Sequence, residues 1–181
     1  MQIKPRTSAS DPLKIDTVPC RAGQIGMTIC PGKKGPSIYG PPWDRDLQTD
    51  FAAIAAWGAA AVVTLMESEE FSTVDVPGLP QVARAQPWPW YHLPFVDGGA
   101  PGAEFEDRWQ TVGPQLHQLL EAGRKILIHC RGGLGRTGLV VARLLIEAGM
   151  STETAIETVR AARPGAIETP EQEVYLHLNT F

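Results

Sequence analysis

The sequence predicts an α/β fold: one domain with a central, mostly parallel, twisted sheet and helices on both faces. Three observations carry this. Short apolar runs of strand length, such as AAAVVTLM (59–66) and KILI (125–128), alternate with segments of helical period. Those runs are apolar at successive positions, the pattern of strands buried on both faces. A length of 181 residues fits a single domain able to bury about two-thirds of its unfolded surface.

The elements follow in order. Residues 1–24 are polar with scattered prolines and are expected as a loosely held arm, leaving 25–181 as the folded domain. QIGMTICP (24–31) reads as a first strand. GKKGPSIYGPPWD (32–44) is turn-rich and irregular, and Lys33 and Lys34 read as a solvated turn. Asp46 can cap a helix over 47–57, with Leu47, Phe51 and Ile54 on one face and Gly58 as its end. AAAVVTLM is then a buried strand, and ESEEFSTVDVPGLP (67–80) an acidic loop. QPWPWYHLPFV (86–96) contains β-formers, but Pro87, Pro89 and Pro94 confine it to an edge or a short strand.

DGGAPG (97–102) is a loop. Phe105, Trp109, Val112, Leu116 and Leu120 give the next segment helical spacing, with a kink expected at Pro114. Gly123 closes it, and KILIHC follows as a short apolar strand. LVVARLLIEAG (139–149) is a buried helix, and Ser151 can cap another. Thr169-Pro170-Glu171-Gln172 has the form of a capping box, with Val174, Tyr175, Leu178 and Phe181 as the stripe of a last helix.

Composition narrows the function classes. The chain is 43% hydrophobic and 20% charged, with a net charge of −4, which argues against non-specific nucleic-acid binding. Cys20, Cys30 and Cys130 form no metal-type pair and no disulfide framework. A reduced, cytoplasmic setting is the simplest expectation. The first residues lack the apolar core of a secretory signal, and the longest apolar run is too short to span a membrane.

HCRGGLGRTG (129–138) concentrates the chemistry. An apolar strand delivers Cys130 into a turn, and a helix is expected from about Arg136. Gly132, Gly133 and Gly135 let the backbone fold tightly and turn amides inward, and Arg131 and Leu134 complete this substrate-binding loop; the Arg131 side chain either favours acidic substrates or is a plain solvated charge. Convergent amides and a helix N-terminus make an anion cradle, and the Arg136 guanidinium can hold two phosphate oxygens at once. The same positive field favours the thiolate of Cys130, placed for attack on a cradled phosphorus. The Thr137 hydroxyl is close enough in sequence to hydrogen-bond the sulfur.

Cys130-x5-Arg136, followed by Thr137-Gly138 and preceded by His129 on an apolar strand, resembles the signature loop of the cysteine-based protein tyrosine phosphatases. HLPFVDGGAP (92–101), GGLGRTG and GAIETPEQEVYL (165–176) resemble the kinase-associated phosphatase group of the small dual-specificity phosphatases, over about residues 47–176. The resemblance implies a dual-specificity-phosphatase-like fold and a shallow site for phosphotyrosine and phosphoserine/threonine on protein substrates. A phosphocysteine intermediate is expected, with no metal and no cofactor, because Arg136 and the loop amides do the work a cation would do elsewhere. No nucleic-acid and no membrane partner is expected, and a monomer is favoured.

Expelling an alkoxide or phenoxide requires an acid. Asp97 opens a loop after a strand beside Gly98 and Gly99, and is either that acid or the cap of an ordinary turn; the resemblance implies the acid. Glu104, Glu106 and Asp107 fall on a helix start, where acidic residues are expected anyway. Gln172 either completes the capping box or, as the resemblance implies, positions the hydrolytic water. His129 reads as structural support, and Arg163 either approaches the site or favours its helix end. Two other readings stay open. One is the same chemistry on a phosphoinositide, nucleotide or RNA 5′ phosphate, weakened because only Arg131 adds a base within the loop. The other is a phospho-binding scaffold whose hydrolysis is incidental.

Overall fold

The computed structural model describes residues 4–179 and 181. Five strands form the main sheet: β1 (Asp16–Cys20), β2 (Gly23–Thr28), β5 (Ala59–Thr64), β6 (Trp90–His92) and β7 (Lys125–His129), in the order β1-β2-β7-β5-β6. β1 pairs antiparallel with β2, and the other pairings are parallel, so the sheet is mixed with a parallel centre. Two-residue strands β3 (Lys34–Gly35) and β4 (Trp43–Asp44) form a separate ribbon. Ile126, Leu127 and Ile128 of β7 are all fully buried. Successive side chains of a strand point to opposite faces, so both faces of the sheet are covered.

The helices are α1 (Leu47–Trp57), α2 (Ser68–Thr73), α3 (Leu79–Arg84), α4 (Ala103–Glu121), α5 (Gly135–Glu147), α6 (Thr152–Ala162) and α7 (Pro170–Leu178). Local chemistry sets several ends. The Asp46 side chain accepts from the Thr49 amide to start α1, and Gly58 ends it in the left-handed region at φ 92°. Ser151 caps α6, and Thr169 with Gln172 forms the expected capping box of α7. Pro114 lies inside α4 without ending it. Among the described residues no helix is long and apolar enough to cross a membrane.

Three expectations need correction. Residues 16–20 are not part of a loose arm but the edge strand β1, with Val18 and Cys20 in the core. Further upstream, the Arg45 guanidinium donates to the Asp11 carbonyl, and the Ser8 hydroxyl donates to the buried Asp50 carboxylate. Residues 1–3 of that expected arm lie outside the described residues. The acidic loop at 67–80 holds two short helices, α2 and α3, because Glu67 and Glu70 make a capping box and Phe71, Val74, Val76 and Leu79 supply buried contacts. The last helix buries Gln172 and Leu176, whereas Val174 and Leu178 face outward. The polar residue on the inner face there donates to the Gly99 carbonyl.

Candidate active site

Strand β7 ends at His129 between β2 and β5, with Thr28 and Thr64 as its neighbours. The chain leaves the carboxyl edge of the sheet at Cys130 and enters α5 at Gly135, so residues 130–134 form a loop at the position where α/β sheets bind ligands. His129 is fully buried under this loop. Its Nδ1 lies 3.2 Å from the Cys130 carbonyl, which can only accept, so Nδ1 carries the proton. Nε2, 2.7 Å from the Thr64 hydroxyl, therefore accepts, and Trp90 Nε1 donates to the same hydroxyl at 2.8 Å. Burial, reinforced by the Arg136 charge, pushes the His129 pKa down to about 4. His129 is a neutral support, as its sequence position led us to expect.

The loop carbonyls are all engaged from outside. The Cys130 carbonyl faces His129. That of Arg131 accepts from the Cys30 amide at 3.3 Å and from Lys33 Nζ at 3.4 Å. Those of Gly132 and Gly133 accept from Nη2 and Nε of Arg163, which is itself braced by Asp16 of β1 at 2.8 Å. Leu134 accepts from the amides of Gly138 at 2.8 Å and Ile167 at 3.3 Å. In a planar trans peptide the C=O and the following N–H point in opposite directions. Five outward carbonyls therefore turn the amides of residues 131–135 inward. The Gly133 amide donates to Cys130 Sγ at 3.2 Å. Gly133 takes φ 69°, and a Cβ there would stand 2.2 Å from the Thr28 carbonyl oxygen, so glycine is required on both counts.

Arg136 is fully buried beneath the loop. Its Nη1 donates to Glu70 Oε2 at 2.6 Å and its Nη2 to Glu70 Oε1 at 2.8 Å, a bidentate pair. Nη1 also donates to the Phe95 carbonyl at 3.1 Å. Nη2 stands 3.1 Å from Asp97 Oδ1. Nε is buried with no hydrogen-bond partner, a donor held out of water. Glu70 is a residue that sequence reading missed. Despite its partial burial, the bonds from Arg136 and from the Glu67 amide hold its carboxyl below the usual carboxylate range. The available signal was the Glu67-x-x-Glu70 spacing, a helix start concealed in what reads as an acidic loop.

Asp97 is 55% exposed at the mouth of the cleft that also contains Cys130. Its loop is pinned to the start of α7. Thr169 Oγ1 donates to the Gly98 carbonyl at 2.8 Å, and Gln172 Nε2 donates to that of Gly99 at 3.2 Å. Gln172 Oε1 accepts from the Glu168 amide at 2.9 Å, so this side chain both caps its helix and braces the Asp97 loop. The Thr137 hydroxyl does not bond the sulfur as expected. It is buried with no partner, and the Gly133 amide holds the sulfur instead. Arg163, left open between two roles by the sequence, lies against the loop.

A thiol at the floor of an amide cup, a buried arginine and a carboxylate at the rim define a cysteine-dependent phosphatase domain. Residues 44–176 match the family described as Swiss Army Knife protein, DSP-PTPase phosphatase domain, and the chain belongs to that family. It is a phosphoric monoester hydrolase of the protein tyrosine and dual-specificity phosphatase class. It is 33% identical over 156 residues to the cyclin-dependent kinase inhibitor 3 of Rattus norvegicus, covering 84% of this chain and 70% of that relative. It is similar to a crystal structure of kinase associated phosphatase with its catalytic-site cysteine substituted by serine. That likeness has TM-score 0.78 and 30% identity, covering 92% of this chain and 93% of the other. The active form of Tk-PTP is similar at TM-score 0.62 and 27% identity, covering 86% of this chain and 90% of the other.

Proposed function

We propose that this phosphatase hydrolyses phosphotyrosine and phosphoserine/threonine on proteins through a phosphocysteine intermediate. The observation that carries the reading is the set of five loop carbonyls bonded outward, which turns the amides of 131–135 toward Cys130, that of Gly133 onto its sulfur and the others toward the place of one anion above it. Cys130 attacks the phosphorus. The amides and Arg136 stabilise the equatorial oxygens, with the unpartnered Arg136 Nε as one donor available to them. Asp97 protonates the leaving oxygen and then takes a proton from the water that hydrolyses the intermediate. Thr137, whose buried hydroxyl has no other partner, is the group assigned to ease departure of the sulfur. Gln172 holds the Asp97 loop over the cradle. Positive charge comes from amides and a guanidinium, so the reaction needs no added cation. The kinase associated phosphatase among the relatives supports a phosphorylated protein as substrate.

The test is turnover of p-nitrophenyl phosphate in EDTA by the native chain and by Cys130→Ser. The native chain is expected to be active and the variant to lose at least about 10³-fold. Undiminished turnover by Cys130→Ser overturns the nucleophile assignment. Asp97→Ala should slow alkyl or poor aryl leaving groups by about 10²–10⁴-fold and activated ones far less. Equal small losses on both would move the acid elsewhere.

A further inference from the structure

The mouth of the active-site cleft carries cationic side chains to which the mechanism above gives no contact with the substrate. The cleft has a volume of about 340 Å³, and Arg6, Lys33 and Arg131 line it beside Cys130. Arg136 is matched by Glu70 and Asp97. Arg6, Lys33 and Arg131 have no carboxylate partner among the described residues, whereas the neighbouring Lys34 pairs with Asp44. Lys33 Nζ is tethered to the Arg131 carbonyl at 3.4 Å, one residue along the chain from the thiol. Burial, helped by the Arg131 charge, pushes the Lys33 ammonium below its ordinary value. A half-buried cation beside another cation, with no carboxylate paired to it, is an arrangement that an incoming anion relieves.

Arg6 is already held by several contacts. Its Nε and Nη2 donate to the Pro41 carbonyl at 3.1 and 2.8 Å, and Nη2 donates to Ser37 Oγ at 2.8 Å. Its guanidinium lies 3.5 Å above the Trp43 ring. Little side-chain freedom remains to be lost when it meets an anion.

We infer that Lys33, Arg131 and Arg6 form a second anion subsite at the rim of the cradle. It recognises an acidic or phosphorylated side chain one or two residues from the phosphoresidue being hydrolysed. The inference rests on the phosphoprotein reading above. A peptide fits better than an anionic membrane for three reasons. The chain carries a net charge of −4. Glu168 stands on the same mouth and repels an extended anionic surface. Ile38 and Tyr39, 92% and 78% exposed, line the same cleft and offer an apolar shelf to flanking side chains.

The experiment compares kcat/KM for three phosphotyrosine peptides that differ only at the neighbouring residue: alanine, glutamate or phosphoserine. Phosphatidylcholine vesicles carrying a bisphosphorylated phosphoinositide form a fourth arm, and p-nitrophenyl phosphate a reference. The native chain should prefer the glutamate and phosphoserine peptides on the order of tenfold. Lys33→Met should bring that preference to within about twofold and Lys33→Arg should keep it, while added salt weakens it. Three results overturn the subsite: equal rates on the three peptides with p-nitrophenyl phosphate turnover intact, a preference that survives both Lys33→Met and Arg131→Met, or vesicles hydrolysed faster than every peptide. Absence of turnover on every substrate instead overturns the phosphatase mechanism on which the subsite rests.

Discussion

Glu70 shows how a residue remote in sequence can govern the proposed clamp. Its carboxylate takes both terminal nitrogens of Arg136, so it fixes the plane of the guanidinium and leaves Nε as the donor without a protein partner. Glu70→Gln keeps the size and one acceptor but removes the charge. The expected cost is about 10–100-fold in kcat/KM with a matching loss of vanadate affinity, because hydrogen bonds to charged groups contribute about 1.5–3 kcal/mol. Unchanged kinetics and vanadate binding would remove Glu70 from the positioning role. His129 makes a different prediction. Its folded pKa, about 4, lies below the unfolded value near 6.5, so the unfolded chain binds more protons between those limits. Its contribution is present in full above about pH 6.5 and is lost as pH falls toward 4, on the order of 3 kcal/mol in all. Urea midpoints measured from pH 7 to pH 5 should fall for the native chain and fall less for His129→Asn. Parallel slopes would contradict the neutral-support role.

At the scale of elements, α7 acts through its first turn. The Thr169 hydroxyl accepts from the Gln172 amide and donates to the Gly98 carbonyl, joining a helix cap to the Asp97 loop. Thr169→Ala should cost about 1 kcal/mol of stability as a lost cap. It should also slow poor leaving groups more than good ones, and an equal effect on both would leave only the cap. The capping box was legible because Thr-Pro-Glu-Gln spells it locally. The bracing was not, because its partners at 98 and 99 are distant in sequence and joined only by the fold. The acidic segment at 67–80 misled for a related reason. Six-residue helices such as α2 are too short to show a period, and they are stabilised by packing of Phe71 and Leu79 rather than by pattern.

Across the whole molecule, the sheet's parallel centre, the order of the long helices and the loop at 130–136 were readable from apolar runs and glycine punctuation. The edge strand β1 was not. DTVPC is short and contains a proline, and its role emerges only from its pairing with β2. That strand supplies Asp16, which braces Arg163 against the loop carbonyls. The segment before it is joined to the body through Arg45 and Asp50, a buried pair whose carboxylate also accepts from Ser8 and the Gly32 amide. Asp50→Ala strands a buried guanidinium and should cost about 3–5 kcal/mol, read as a lower Tm and urea midpoint. A loss below about 1 kcal/mol would show that the segment is not held this way. The central claim is that these long-range contacts shape one cup in which Cys130 accepts a phosphoryl group. Its most direct test is rapid quench of a phosphotyrosine peptide reaction in EDTA, with mass spectrometry of the trapped enzyme. The account predicts one phosphate per chain, on Cys130, forming as tyrosine is released and decaying at the rate of turnover. Steady turnover with no phosphate on Cys130 at any time would contradict it.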